Sequence, residues 1–158
     1  VDVGGGSTEL NVVHEGELID SRSFNLGTIR QISGMVKDEE REAFATYLKE
    51  LSEKHPKLHL VGTGGNINKL LRLGAPAERA NINVLPVESL RQVAERLRPL
   101  TPEERMLLFR LKPDRAEVIV PAADIFLTVA SITSSTEIIV PTKGLADGIV
   151  DSICPALS

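Results

Sequence analysis

The stretch Asp2-Val3-Gly4-Gly5-Gly6-Ser7-Thr8 constrains this chain more than any other. A β-suited segment runs into three consecutive glycines, so a strand ends where the backbone has no Cβ to shield it. Backbone N–H groups in such a turn can approach an anion, and positive φ angles cost little. Ser7 and Thr8 add hydroxyl donors, and Asp2 supplies the carboxylate that a hard cation such as Mg2+ takes directly or through water. Glu9 shares a strand face with Ser7 if side chains alternate. Gly4, Gly5, Gly6 and Ser7 are therefore candidates for holding phosphate, Asp2 and Glu9 for metal, and Glu9 for orienting an attacking water. The competing reading is a glycine-rich hairpin turn in which Asp2 satisfies its own loop amides and Glu9 is a solvated strand carboxylate. Neither the GxxxxGK(S/T) phosphate loop nor the dinucleotide glycine spacing is matched.

Gly62-Thr63-Gly64-Gly65-Asn66 marks a second junction, between a short apolar strand and a helix. A helix N-terminus there directs free N–H groups and a positive dipole end toward the sheet edge, which suits phosphate oxygens. The alternative is a tight connection capped by Thr63 or Asn66. Two such loops in one small domain favour a phosphate ligand, so Gly62, Thr63, Gly64 and Gly65 join the candidate set.

Around these loops the pattern predicts strands alternating with helices. Ser7 to Phe24 reads as a hairpin turning at Glu15-Gly16-Glu17, followed by a short helix within Leu26 to Met35. Asp38 is the expected N-cap of a helix presenting Phe44, Tyr47, Leu48 and Leu51 and ending at Pro56. Leu58 to Val61 is a strand, then a helix with Ile67, Leu70 and Leu71 stops at Gly74. Asn83 to Leu85 (strand), Val87 to Arg98, Glu103 to Leu111 and Ala122 to Ile132 (helices), Thr136 to Val140 (strand) and Leu145 to Ile153 (helix) complete the prediction. The fold class is α/β: a mixed sheet with helices on both faces and ligands beyond the strand carboxyl ends.

Composition narrows the function. The 158 residues carry 18 Lys+Arg and 22 Asp+Glu, a net charge of -4, and aromatic residues make up 3%. Extensive phosphate neutralisation on DNA and base-stacking platforms are both disfavoured, so no nucleic-acid partner is expected. Cys154 is the single cysteine, so no internal disulfide forms, and no Cys/His spacing points to zinc. The longest uncharged stretch, Ile125 to Thr136, is too short to span a bilayer. A cytoplasmic protein without a membrane partner is the expectation. The chain lacks an initiator Met and enters a strand near its end, so residues upstream are expected. Between residues 91 and 115 seven basic residues, among them Arg105 and Arg115, stand against four acidic ones. They read as a solvated face of mixed charge, with a polyanion path as the sharper option. His14, His55 and His59 are scattered and are assigned no chemistry.

Taken in order, five segments resemble the signatures of the exopolyphosphatase/guanosine pentaphosphate phosphohydrolase (Ppx/GppA) family. They are Asp2 to Leu10, Leu26-Gly27-Thr28-Ile29-Arg30, Gly62 to Gly65, Arg115 to Ala122, and Gly144-Leu145-Ala146-Asp147-Gly148. The resemblance implies the actin-like ATPase superfamily, with two ribonuclease H-like domains around a cleft. Residues 1–158 would be one such domain, the second of the two. It further implies Asp2, Gly4 and Glu9 at active-site positions, Mg2+ as cofactor, and a first domain bringing the other phosphate loop and the water-activating glutamate. Pro141-Thr142-Lys143, and Ala146-Asp147 where the family often has a basic-acidic pair, depart from the pattern.

The implied activity is hydrolysis of a terminal phosphoanhydride in polyphosphate or guanosine pentaphosphate, with the isolated chain nearly inactive. A kinase or ATPase of the same superfamily and a non-catalytic phosphate-binding module are the alternatives. Expected partners are the substrate and the missing first domain, with homodimerisation left open.

Overall fold

A computed structural model of the chain describes residues 1–74 and 83–141. β1 (Asp2–Val3) leads through the glycine loop into β2 (Thr8–His14), which returns as β3 (Glu17–Phe24). Glu15 and Gly16 form the turn with φ of 49° and 86°. Two successive positive φ angles match the twist of the flanking strands, which is why glycine follows Glu15. Next come α1 (Thr28–Ile32), α2 (Asp38–Lys54), β4 (Leu60–Val61), α3 (Gly65–Gly74), β5 (Val84–Pro86), α4 (Val87–Leu97), α5 (Pro102–Phe109), α6 (Pro113–Ile132) and β6 (Glu137–Ile139).

The strands form two ladders, β1-β2-β3 and β4-β6-β5. Neighbours in the first are antiparallel, whereas β4 runs parallel to β6 and β5 antiparallel to it. A parallel bridge from Asp2 to Thr63 joins them, and the Thr63 N–H donates to the Val1 carbonyl at 2.8 Å. Read across, the order is β3-β2-β1-β4-β6-β5, a mixed sheet of the expected α/β, ribonuclease H-like class. β1 and β4 are parallel, so both glycine-rich loops leave the same edge.

One face of the hairpin is apolar at alternate positions. Leu10, Val12 and Phe24 are buried there, with Phe44, Tyr47 and Leu48 of α2 in the same core. Phe24 meets Phe44 edge-on, ring centroids 5.2 Å apart. The other face is polar: Glu9 accepts from Ser23, and Asn11 from Ser21. Ile67, Leu70, Leu90, Leu97, Ile119, Phe126 and Ile138 are fully enclosed and form the rest of the core.

Several expected boundaries move. Lys37, not Asp38, occupies the N-cap of α2; Asp38, Glu39 and Glu40 fill its first turn, opposite the positive end of the helix dipole. α5 begins at Pro102 behind a Thr101/Glu104 capping box. α6 starts at Pro113, nine residues before the predicted Ala122, and runs through Pro121. Proline removes one helical N–H, yet the helix persists because Ala116 and Ile119 before it are as buried as Ala122, Ala123 and Phe126 after it. The predicted helix at 145–153 and the departures at 142–147 lie outside the described residues. Two of the basic residues between 91 and 115 leave the solvated face. Arg105 is buried, donates to the carbonyls of Leu97 and Ala116 at 3.0 and 2.9 Å, and has its pKa lowered by that burial. Arg115 turns toward the glycine loops.

Candidate active site

Asp2 and Glu9 are direct partners in the β1–β2 register, so their side chains share one sheet face at the mouth of the glycine loop. Glu9 accepts from the hydroxyls of Ser7 and Ser23. Asp2 accepts from the Thr63 hydroxyl at 3.2 Å. Strand pairing thus brings together Asp2, Ser7, Glu9 and Thr63, an all-oxygen set from three chain segments.

The loop itself is held by its carbonyls. The Gly4 N–H donates to the Ser7 carbonyl at 2.9 Å, which closes the turn. Opening α1, Thr28 N–H donates to Gly4 O at 3.0 Å and Ile29 N–H to Gly5 O at 2.9 Å. The Arg30 side chain completes the set, its Nε donating to Gly6 O at 2.8 Å. Helix α1 therefore spends its unpaired N-terminal donors on loop carbonyls. Among the described residues, the N–H groups of Gly5, Gly6 and Ser7 donate to none of the loop's own carbonyls. Carbonyls tied back with amides left over is the arrangement an anion requires. Gly27 makes the close approach feasible, because a Cβ there would lie 2.3 Å from Gly5 O and 2.5 Å from the Gly6 carbonyl carbon.

The second loop divides its residues between core and site. Gly62 is buried, donates its N–H to Ile139 O at 2.8 Å, and leaves no room for a Cβ between Ile67, Phe126 and Ile138. It shapes the loop from behind, facing the core. Gly64 has φ of 95° and lies against the Asp2 carboxylate. Gly65 opens α3 and is exposed, with the Arg115 guanidinium 2.8 Å from where its Cβ would stand.

Asn66 and Arg115 were not among the sequence-derived site residues. Buried Asn66 donates through Nδ2 to the Val3 carbonyl at 3.1 Å, and its Oδ1 accepts from Arg115. The last residue of β1, the first turn of α3 and the first turn of α6 are locked together beside the glycine loop. Asn66 was legible only as a cap, and its 49-residue separation from Arg115 hides the contact in sequence.

Asp2, Glu9 and the hydroxyls of Ser7 and Thr63 are hard oxygen ligands, and no group of three or more His, Cys, Asp and Glu side chains gathers among the described residues. That set fits Mg2+, which is bound by one or two carboxylates and keeps several waters. No helix among the described residues is long and apolar enough to cross a membrane.

The Ppx/GppA phosphatase family profile matches residues 1–157. The chain belongs to the Ppx/GppA phosphatase family. Solved Ppx/GppA structures agree. The type II variant of the Aquifex aeolicus Ppx/GppA phosphatase is 27% identical with a TM-score of 0.71, matching 96% of this chain and 55% of its own. A second Aquifex aeolicus PPX-GPPA enzyme structure gives 26% identity and a TM-score of 0.72 over 96% of this chain and 55% of that one. An exopolyphosphatase from Cytophaga hutchinsonii, 22% identical with a TM-score of 0.71 over 98% of this chain and 56% of its own, shares the fold. The chain spans little more than half the length of these proteins. No curated protein sequence matches it.

Proposed function

We propose that this Ppx/GppA chain is the second ribonuclease H-like domain of a two-domain phosphohydrolase. It forms one wall of a cleft in which terminal phosphate is cut from inorganic polyphosphate or guanosine pentaphosphate. The observation that carries this reading is the pairing of Asp2 with Glu9 at a loop whose carbonyls are tied to α1 and whose amides at Gly5, Gly6 and Ser7 donate to no loop carbonyl.

In this reading those amides receive the equatorial oxygens of the terminal phosphate, where negative charge concentrates as the transferred group separates. The N-terminus of α3 at Gly64 and Gly65 receives a neighbouring phosphate. Glu9, steadied by Ser7 and Ser23, orients a water in line with the bond to be broken. Attack forms the new P–O bond, the shortened chain leaves with its bridging oxygen, and the water's proton passes to a base. The base belongs to the opposite wall, the first domain of the same protein. Asp2 and Glu9 would hold Mg2+, which supplies charge neutralisation at the phosphate oxygens.

A test compares phosphate release from polyphosphate with Mg2+ by the isolated chain and by the two-domain protein. The expected result is turnover by the two-domain protein and almost none by the isolated chain, because groups positioned on opposite walls act as a unit. Comparable turnover by both would overturn the shared-cleft reading, and absence of turnover by both would overturn the phosphatase reading.

A further inference from the structure

The glycine loop between β1 and β2 has no cation of its own. From Val1 to Ser21 the chain carries neither Lys nor Arg, while Asp2 and Glu9 put two carboxylates at the mouth of the loop. In the GxxxxGK(S/T) loops a lysine within the motif brings positive charge to the phosphate. Here that charge has to come from another segment. Among the described residues, the one cationic side chain bonded to this loop is Arg30, in the middle of α1.

The Arg30 backbone N–H donates to Gly5 O at 3.3 Å, and the Ile29 side chain lies 2.9 Å from where a Cβ on Gly5 would stand, so α1 grips the loop at Gly5. The Arg30 side chain then runs on to Gly6, where Nε donates to the carbonyl at 2.8 Å. Anchoring through Nε fixes the guanidinium plane beside Gly6. A half-buried side chain has given up rotamer freedom to make that one bond. Among the described residues, Nη1 and Nη2 donate to no acceptor. No carboxylate comes within ion-pair distance of them either, the ion pairs there being Arg91–Glu88 and Arg98–Asp124. Asp2 and Glu9, the carboxylates of the loop, accept from the hydroxyls of Thr63, Ser7 and Ser23 instead. Gly6 is exposed, and the space a Cβ would face there is open, with no atom within 4 Å. Loop amides with no loop carbonyl to donate to and a guanidinium edge with no partner thus meet at one open position.

We infer that Arg30 contacts the substrate: while Nε holds the Gly6 carbonyl, Nη1 and Nη2 donate to a non-bridging oxygen of the terminal phosphate. This rests on the phosphate-binding part of the proposed function and supplies the positive charge that the loop sequence lacks. Guanidinium N–H groups and phosphate oxygens form short, charge-assisted hydrogen bonds, commonly in pairs. The bond to Gly6 sets the guanidinium in place before the substrate arrives, so no reorganisation is needed as charge moves during the reaction. Lysine is not equivalent, because a single Nζ bonded to Gly6 has no second nitrogen to offer phosphate.

Arg30→Lys and Arg30→Met in the proposed two-domain protein test it, through phosphate release from polyphosphate at saturating Mg2+ and through the polyphosphate-induced rise in Tm. Arg30→Lys keeps the charge and a donor for Gly6, so without ligand it is expected to melt within about 2 °C of wild type. Its kcat should nevertheless fall on the order of 10-fold, and that of Arg30→Met on the order of 100-fold. Arg30→Met should also lose most of the ligand-induced rise in Tm. A side chain that only braces the loop would leave Arg30→Lys at the wild-type rate, and that result would overturn the inference. So would a full ligand-induced rise in Arg30→Met, which would put the Nη groups on something other than phosphate. The wild type separates this inference from the phosphatase reading. Turnover by wild type beside unaffected variants rejects the role of Arg30 alone. If wild type binds polyphosphate without turnover, the phosphatase reading falls and the rise in Tm decides Arg30. A wild type with neither turnover nor a rise in Tm rejects both.

Discussion

The carboxylate of Asp2 occupies the space a side chain on Gly64 would need: a Cβ on Gly64 would stand 2.8 Å from Asp2 Oδ1. Gly64 also has φ of 95°, a conformation L side chains rarely adopt. The two glycine-rich loops are therefore fitted to each other, and Gly64→Ala is expected to lower stability by about 1–3 kcal/mol while displacing Asp2. A urea midpoint equal to wild type would contradict the fit.

Gly27→Ala should be worse. Its Cβ would meet backbone atoms of Gly5 and Gly6 at 2.3–2.5 Å, and backbone cannot swing aside as a side chain can. A loss of roughly 3 kcal/mol or more is expected in urea unfolding. Gly6→Ala makes the contrast, since no atom lies within 4 Å of a Cβ there. Its stability should stay within about 0.5 kcal/mol of wild type. In the proposed two-domain protein, however, its polyphosphate-induced rise in Tm should shrink, because the added methyl would stand where phosphate is proposed to bind. A full ligand-induced shift in Gly6→Ala would return the loop to a structural turn.

Asn66→Ala removes the link between the Val3 carbonyl and Arg115. Leaving a buried carbonyl unpaired is expected to cost about 1–3 kcal/mol, read by thermal unfolding. Loss of protection in hydrogen exchange at β1 would locate the damage, and wild-type exchange there would argue against a bracing role.

Tyr47 gives a pH signature. Burial, then its hydrogen bond to Asp20 at 3.0 Å, push its phenol up from 10.0 to about 12, with Arg22 opposing. A pKa raised in the folded state means that the stabilisation is fully present below pH 10 and disappears as pH rises toward 12. Phenolate absorbance should therefore appear near pH 12 in the native protein and near pH 10 in denaturant, and coincident curves would contradict the burial of Tyr47 and its hydrogen bond to Asp20.

Much of this architecture was legible in the sequence where one physical signal dominated. The apolar spacing of Phe44, Tyr47 and Leu48 in α2, and of Leu90, Val93, Ala94 and Leu97 in α4, names the residues that are buried. The start of α6 was not legible in this way: the uniformly apolar stretch begins at Ala122, whereas the helix already buries Ala116 and Ile119 before Pro121. The glycine loops were legible as loops, but the partition within them was not. Gly62 faces Ile67, Phe126 and Ile138 of the core and Gly64 faces Asp2, a distinction that depends on neighbours distant in sequence. Asn66 and Arg115 escaped for the same reason. So did the part played by α1, whose first amides hold the loop carbonyls.

In the proposed function Asp2 and Glu9 orient metal, phosphate and water from one wall of the cleft. Steady-state phosphate release from polyphosphate by the two-domain protein, measured for Asp2→Asn and Glu9→Gln across a Mg2+ titration, tests it most directly. Asp2→Asn is expected to need more Mg2+, and Glu9→Gln to lower kcat on the order of 100-fold with KM little changed. Wild-type kcat for both variants at saturating Mg2+ would contradict the claim.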